Sequence, residues 1–148
     1  MRLAANAVVI SVLSSACICA HAAGLDDSRA LAALQAKADQ APARDRCFLY
    51  AKLVGDMTDL AGQQLNSGDS GGASETLKLV QQYAEKIHTG VADDSKKLKD
   101  AELLMRRTSF RLKDILGEAS LEDRKALEMT LKQLDLVQAQ LMTQVFKH

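Results

Sequence analysis

The chain has 148 residues, one proline, no tryptophan and few aromatic residues, and its 19 basic residues balance 19 acidic ones. That length holds one core and does not need two. The even charge excludes the strongly basic composition of a nucleic-acid binder, so no nucleic-acid partner is expected. Good helix formers (Ala, Leu, Lys, Gln, Glu) are abundant, and no useful length of the chain alternates in the manner of a strand.

Arg2 is followed by a mostly apolar stretch over residues 3–20 and then by Ala20-His21-Ala22, with small residues where a signal peptidase reads. Residues 1–22 therefore read as a secretory signal peptide and residues 23–148 as a single helical-bundle domain. The expected location is periplasmic or secreted. If the signal is kept, it anchors the chain, since about 20 apolar residues span a bilayer; no other stable membrane insertion is expected. Cys17 and Cys19 leave with the signal and Cys47 remains. A disulfide framework is excluded, and helix packing must supply stability.

In chain order, Asp26, Asp27 or Ser28 caps a first helix whose Leu31, Leu34, Ala38 and Ala41 share one face. Pro42 ends it or opens the next, where its missing N–H is harmless. A second helix over residues 43–66 carries two adjacent stripes. Cys47, Ala51, Val54, Thr58, Ala61 and Leu65 form one; Leu49, Leu53, Met57 and Leu60 form the other. So wide an apolar face suits a helix packed on two sides. Residues 66–72 hold three glycines, two serines, an Asn and an Asp, and read as a loop that makes the next helix antiparallel.

The longest stripe runs through Ala73, Leu77, Val80, Ala84, Ile87, Val91, Asp94, Leu98, Ala101, Met105, Thr108, Leu112 and Ile115. Its spacing is that of a coiled-coil seam. Thr89-Gly90 and Asp93-Asp94-Ser95 allow a break there, as a C-cap followed by an N-cap. The unbroken phase argues instead for one continuous helix of roughly 65 Å. Its polar members Asp94 and Thr108 are expected where the seam opens beyond shorter partners. Ser120, with Asp123 three residues on, starts a last helix faced by Leu127, Leu131, Leu134, Leu141 and Val145, with Gln138 as its polar member. The expected fold is all-α: an antiparallel bundle of about four helices built on one long central helix.

Gly68-Asp69-Ser70-Gly71-Gly72 resembles the string around the nucleophile of chymotrypsin-like serine proteases. That family continues with proline where this chain has Ala73, and its triad needs a histidine and an aspartate upstream. No histidine precedes Ser70 after the signal, so the string reads as an inter-helix turn. Glu85 and His88 resemble the carboxylate–imidazole pair of ferritin-like di-iron bundles. Those sites need a second such pair, and His148 has Val145 where the carboxylate would stand. Met57, Leu60, Ala61, Gly68, Ala73, Leu77 and Val80 stand at spacings similar to the signature of the tetratricopeptide repeat. Gln64 replaces its usual aromatic and Glu85 its closing proline, and no second copy is legible. The resemblance implies a local helix pair and no stacked array. Lys96, Lys97, Lys99, Arg106, Arg107, Arg111 and Lys113 alternate with acidic residues and read as solvated surface with helix-spaced ion pairs.

No catalytic, cofactor-binding or metal-binding residue is assigned. The expected function is that of an exported, non-enzymatic helical protein acting by protein–protein contact or self-association, with an unknown protein partner or a homodimer. The alternative is a small-ligand or metal carrier using the bundle interior near His88, Asp94 and Cys47.

Overall fold

A computed structural model describes residues 22–91 and 96–147, with side chains from Asp27 onward. The expected signal lies outside these residues, apart from Ala22. Among the described residues the chain forms five helices and no strand: α1 (Ala22–Gln40), α2 (Ala43–Asn66), α3 (Ser70–Gly90), α4 (Leu98–Glu118) and α5 (Leu121–Val145). None of them is long and apolar enough to cross a membrane.

Each boundary has a local cause. α1 is already helical at Ala22, so Asp26, Asp27 and Ser28 lie within it rather than capping it. Pro42 stands at the N-cap of α2, in the extended conformation that keeps it out of either helix. The glycine-rich stretch yields a shorter loop than expected, Ser67 to Asp69. Asp69 caps α3 by accepting from the Gly72 amide at 2.9 Å, which draws Gly71 and Gly72 into the first helical turn. A Cβ on Gly72 would collide with the Asp69 carboxylate, so this cap needs glycine there. Ser120 caps α5 as expected: its oxygen accepts from the Asp123 amide at 3.3 Å, and its hydroxyl donates to the Asp123 carboxylate at 2.6 Å.

The single long helix is not formed. α3 stops at Gly90, Val91 is extended, and Lys97 enters α4 from the left-handed region at φ 57°. A rod of about 65 Å would outrun α2, which at 24 residues is about 36 Å long. Half of its stripe would then find no cover. Breaking it lets both halves be buried: Ala73, Leu77, Val80, Ala84 and Ile87 on α3, and Leu98, Ala101, Met105, Thr108, Leu112 and Ile115 on α4. The expected phase survives because the step from Ile87 to Leu98 equals about three helical turns.

The chain is two helical hairpins, α2–α3 and α4–α5, with α1 laid on the outside of α2. α2 packs against α1, α3 and α4, and α5 packs against α3 and α4, while α3 and α4 stand on opposite corners. Like helices lie side by side and parallel. The Lys96 amide donates to the Arg44 carbonyl at 2.8 Å where α2 and α4 begin. Further along, Gly55 faces Thr108 and Gly62 faces Ile115. Between α3 and α5, Gln133 donates to the Gln81 carbonyl at 3.0 Å, and Gln140 to the His88 carbonyl at 2.9 Å. Buried positions of α2 recur at one offset in α4: Cys47 with Leu98, Val54 with Met105, Ala61 with Leu112. The helix pair implied by the tetratricopeptide resemblance is present as α2–α3, and a second hairpin of similar build stacks on it.

Leu53, Leu77, Ile87, Met105, Leu112, Leu127, Leu134 and Leu141 are the largest fully buried side chains. Burying each stabilises the fold by about 1.5–3 kcal/mol.

Candidate functional site

The residues singled out from the sequence do not converge. Cys47 is a free thiol 1% exposed at the start of α2, and burial pushes its pKa up to about 11. It is packed as a core residue and poorly nucleophilic at neutral pH. His88 is exposed in the last turn of α3. Asp94 lies outside the described residues. Glu85 is also exposed, and among the described residues no group of three His, Cys, Asp or Glu side chains is placed to hold a metal ion. The Ser70 hydroxyl donates to Asp123 at 3.3 Å across the turn end of the bundle, while His88 sits at the far end of α3. Thr108, expected where the seam opens, is instead 5% exposed. Its hydroxyl donates to the Leu104 carbonyl at 2.9 Å, which lets a polar residue sit at a tight helix crossing.

One polar cluster ties three helices together. Tyr50 of α2 donates to Asp39 of α1 at 2.8 Å, and Lys86 of α3 reaches the same carboxylate at 3.3 Å. The Lys86 ammonium also lies 4.7 Å from the centre of the Tyr83 ring and 5.3 Å from that of Tyr50. Burial first, then the Asp39 carboxylate, pushes Tyr50 up to about 12. The Tyr50 hydrogen bond, outweighing burial and aided by Lys86, holds Asp39 below its ordinary value. Both proton preferences belong to a clasp that fixes the end of α1.

A longer run of concave surface lies elsewhere, along the outward side of α2 between α1 and α4. Three hollows run into one another there, of about 450, 510 and 220 Å³. Phe48 is shared by the first two, and Asp56 and Asp59 by the last two. Phe48, Gly55, Leu103 and Leu104 give the middle an apolar floor. Lys52 pairs with Asp56 at 3.0 Å, and Arg111 with Asp59 at 3.3 Å. The charge is graded. Lys37, Lys96 and Lys97 line one end with Asp45 as the one acid, and Asp27 stands at the other end. The Lys97 ammonium lies 4.6 Å from the centre of the Phe48 ring. Arg107 and Asp100 complete the middle, which so carries three basic and three acidic side chains.

Sequence reasoning missed this groove. The signal was present in Phe48 and Leu103, apolar residues off the buried stripes, and in Gly55 and Gly62, two turns apart. Those glycines let α4 approach α2 closely: a Cβ on Gly62 would stand 2.9 Å from Ile115, and one on Gly55 3.3 Å from Thr108. Comparison with protein-family models, with curated proteins and with solved structures found no match.

Proposed function

We propose that the chain is an exported, non-enzymatic helical protein that works by contact with another protein, held along the α2 groove. The export half of this reading rests on the apolar N-terminal segment that ends at Ala22. The contact half rests on one observation: an open groove with an apolar floor and a lysine-rich end, Lys37, Lys96 and Lys97, against a single acid. Apolar floor with charged rim is the composition of a protein-contact surface. The surplus positive charge favours a peptide segment that carries apolar side chains beside acidic ones.

Selection from a random peptide library on the purified chain tests this. Binders should be enriched in acidic-plus-apolar segments and should lose most of their affinity when Lys96 and Arg107 are both replaced by Glu. A library that returns no binder, or binders indifferent to that reversal, sinks the proposal.

A further inference from the structure

Among the described residues, the second hairpin carries most of the exposed large apolar side chains. Of the large apolar side chains that stand exposed among the described residues, all but Leu79 lie at Leu103 or beyond. In stacks of helical hairpins the terminal unit needs a polar outer face to stay soluble. Here the outer face of α4–α5 is not of that kind, and it is patterned.

On α4, Lys99, Leu103, Arg106, Phe110 and Lys113 alternate at steps of four and three and so share one side of the helix. α4 meets α2 through Thr108 and Ile115, Leu103 borders the α2 groove, and Arg106 holds Glu102 of its own helix at 2.8 Å, its side chain still half exposed. Phe110 is 61% exposed, and the Lys113 ammonium lies 5.6 Å from its ring centre. On α5, Glu128, Leu131, Asp135 and Met142 form the corresponding strip, clear of Gln133 and Gln140 that meet α3. Glu128, Leu131 and Asp135 line a shallow hollow of about 410 Å³ together with Leu136 and one base, Lys132. One strip is basic and the other acidic, and apolar residues run through both.

Register makes the two strips complementary. α4 and α5 run antiparallel from the turn at Ala119 and Ser120, and Gln138 meets Glu102 across them at 3.5 Å. Counting from that contact, Lys113 lies level with Glu128, and Arg106 level with Asp135. A two-fold axis parallel to the helices preserves these levels and sets α4 of one copy against α5 of the other, antiparallel. We propose that the α4–α5 face binds a second copy of this chain in that arrangement. Lys113 then meets Glu128 of the other copy, and Arg106 meets its Asp135. By symmetry each pair forms twice, around an apolar centre of Phe110, Leu131 and Met142. The contact is isologous and closes on itself. The α2 groove opens on the adjoining side of α4 and shares Leu103 at its edge with this face, but Phe110, Lys113 and Glu128 line no part of it, so the two readings are tested separately.

Sedimentation of the full chain, over a wide concentration range at low salt, tests it. A reversible monomer–dimer equilibrium is expected. Glu128→Lys should weaken it roughly tenfold or more, the equivalent of about 1.4 kcal/mol. Adding Lys113→Glu to that variant should restore it, because the pair is re-formed with its charges exchanged. Phe110→Asp should abolish the dimer while the helical circular dichroism signal is kept. A mass that stays monomeric throughout overturns the proposal. So does a dimer that ignores both Glu128→Lys and Phe110→Asp.

Discussion

In the first hairpin, α2 is flanked by α1 on one side and α4 on the other, and Leu79 is its one large apolar side chain that stands well exposed. In the second, Leu103, Phe110, Leu121, Met129, Leu136 and Met142 are all exposed. Yet the inner faces of the two are alike, with buried positions of α2 recurring at one offset in α4. The same helical period thus serves both hairpins, and neighbours decide how much of each is covered. Inner stripes specify a fold; apolar residues off the stripe mark where something else is to be packed.

The contact between the hairpins gives the largest expected effect. α2 and α4 approach through Gly62 against Ile115. Gly62→Val puts three carbons where one already crowds the Ile115 side chain, and should cost about 1–3 kcal/mol in urea unfolding. Ile115→Ala in the same chain should recover part of that loss, so that the two changes are non-additive. A methyl group on Gly117, in the last turn of α4, would meet nothing within 4 Å, and the backbone there has no positive φ. Gly117→Ala should therefore leave stability unchanged or raise it by up to about 1 kcal/mol. Equal effects at the two glycines would mean that the hairpins are not in close contact.

Much of this was legible in the sequence. The α2 boundaries, its double stripe, the Ser120 cap and the inner stripes of α3 and α4 follow from period and capping chemistry alone; on α5 the buried line runs through Thr130 and Val137, while the expected Leu131, Gln138 and Val145 are half-buried. What misled was the continuity of one stripe. A repeating phase records where each helix points its apolar side, and says nothing about whether the backbone between two segments is helical. Length carried the missing information, because a rod longer than its neighbours cannot be buried along its whole stripe. The groove left only a faint trace, for another reason. It is made by helices distant in sequence, and the residues on its floor are few and unpatterned.

The two inter-helix turns sharpen the comparison at a smaller scale. Both are closed by a side-chain cap, Asp69 before α3 and Ser120 before α5. Asp69→Ala and Ser120→Ala should each cost about 1 kcal/mol. Ser120→Asp should be tolerated, since a carboxylate caps equally well and suits the positive helix end. Replacing Gly72 by Ala should mimic the loss of Asp69, because the new methyl displaces that carboxylate. If Gly72→Ala proves neutral while Asp69→Ala does not, the two turns are held in different ways.

A last difference separates the hairpins by chemistry. Cys47, Tyr50 and Tyr83 all belong to the first hairpin, and the second contains neither cysteine nor tyrosine. Burial raises Tyr50 from 10.0 to about 12 and Cys47 from 9.0 to about 11. A group whose pKa is raised on folding holds its proton more tightly in the native state, so its contribution is full below the unfolded value and is lost as pH rises through the folded one. Stability should accordingly decline from about pH 9 to pH 12. Asp39 has the opposite sense: its folded value is depressed, so its share is present above the ordinary 3.8 and is lost as pH falls through that lower value. Tyr50→Phe removes both the phenol and the hydrogen bond that depresses Asp39. It should flatten the alkaline decline in part, leaving the share of Cys47 and Tyr83, and should also reduce the acid sensitivity. Urea titrations at pH 7, 10 and 11.5 on the two proteins measure this. Because no such group lies in α4 or α5, a decline that survives Tyr50→Phe combined with Cys47→Ala and Tyr83→Phe would have to arise outside the clasp, and the assignment of the alkaline response to the first hairpin would fail.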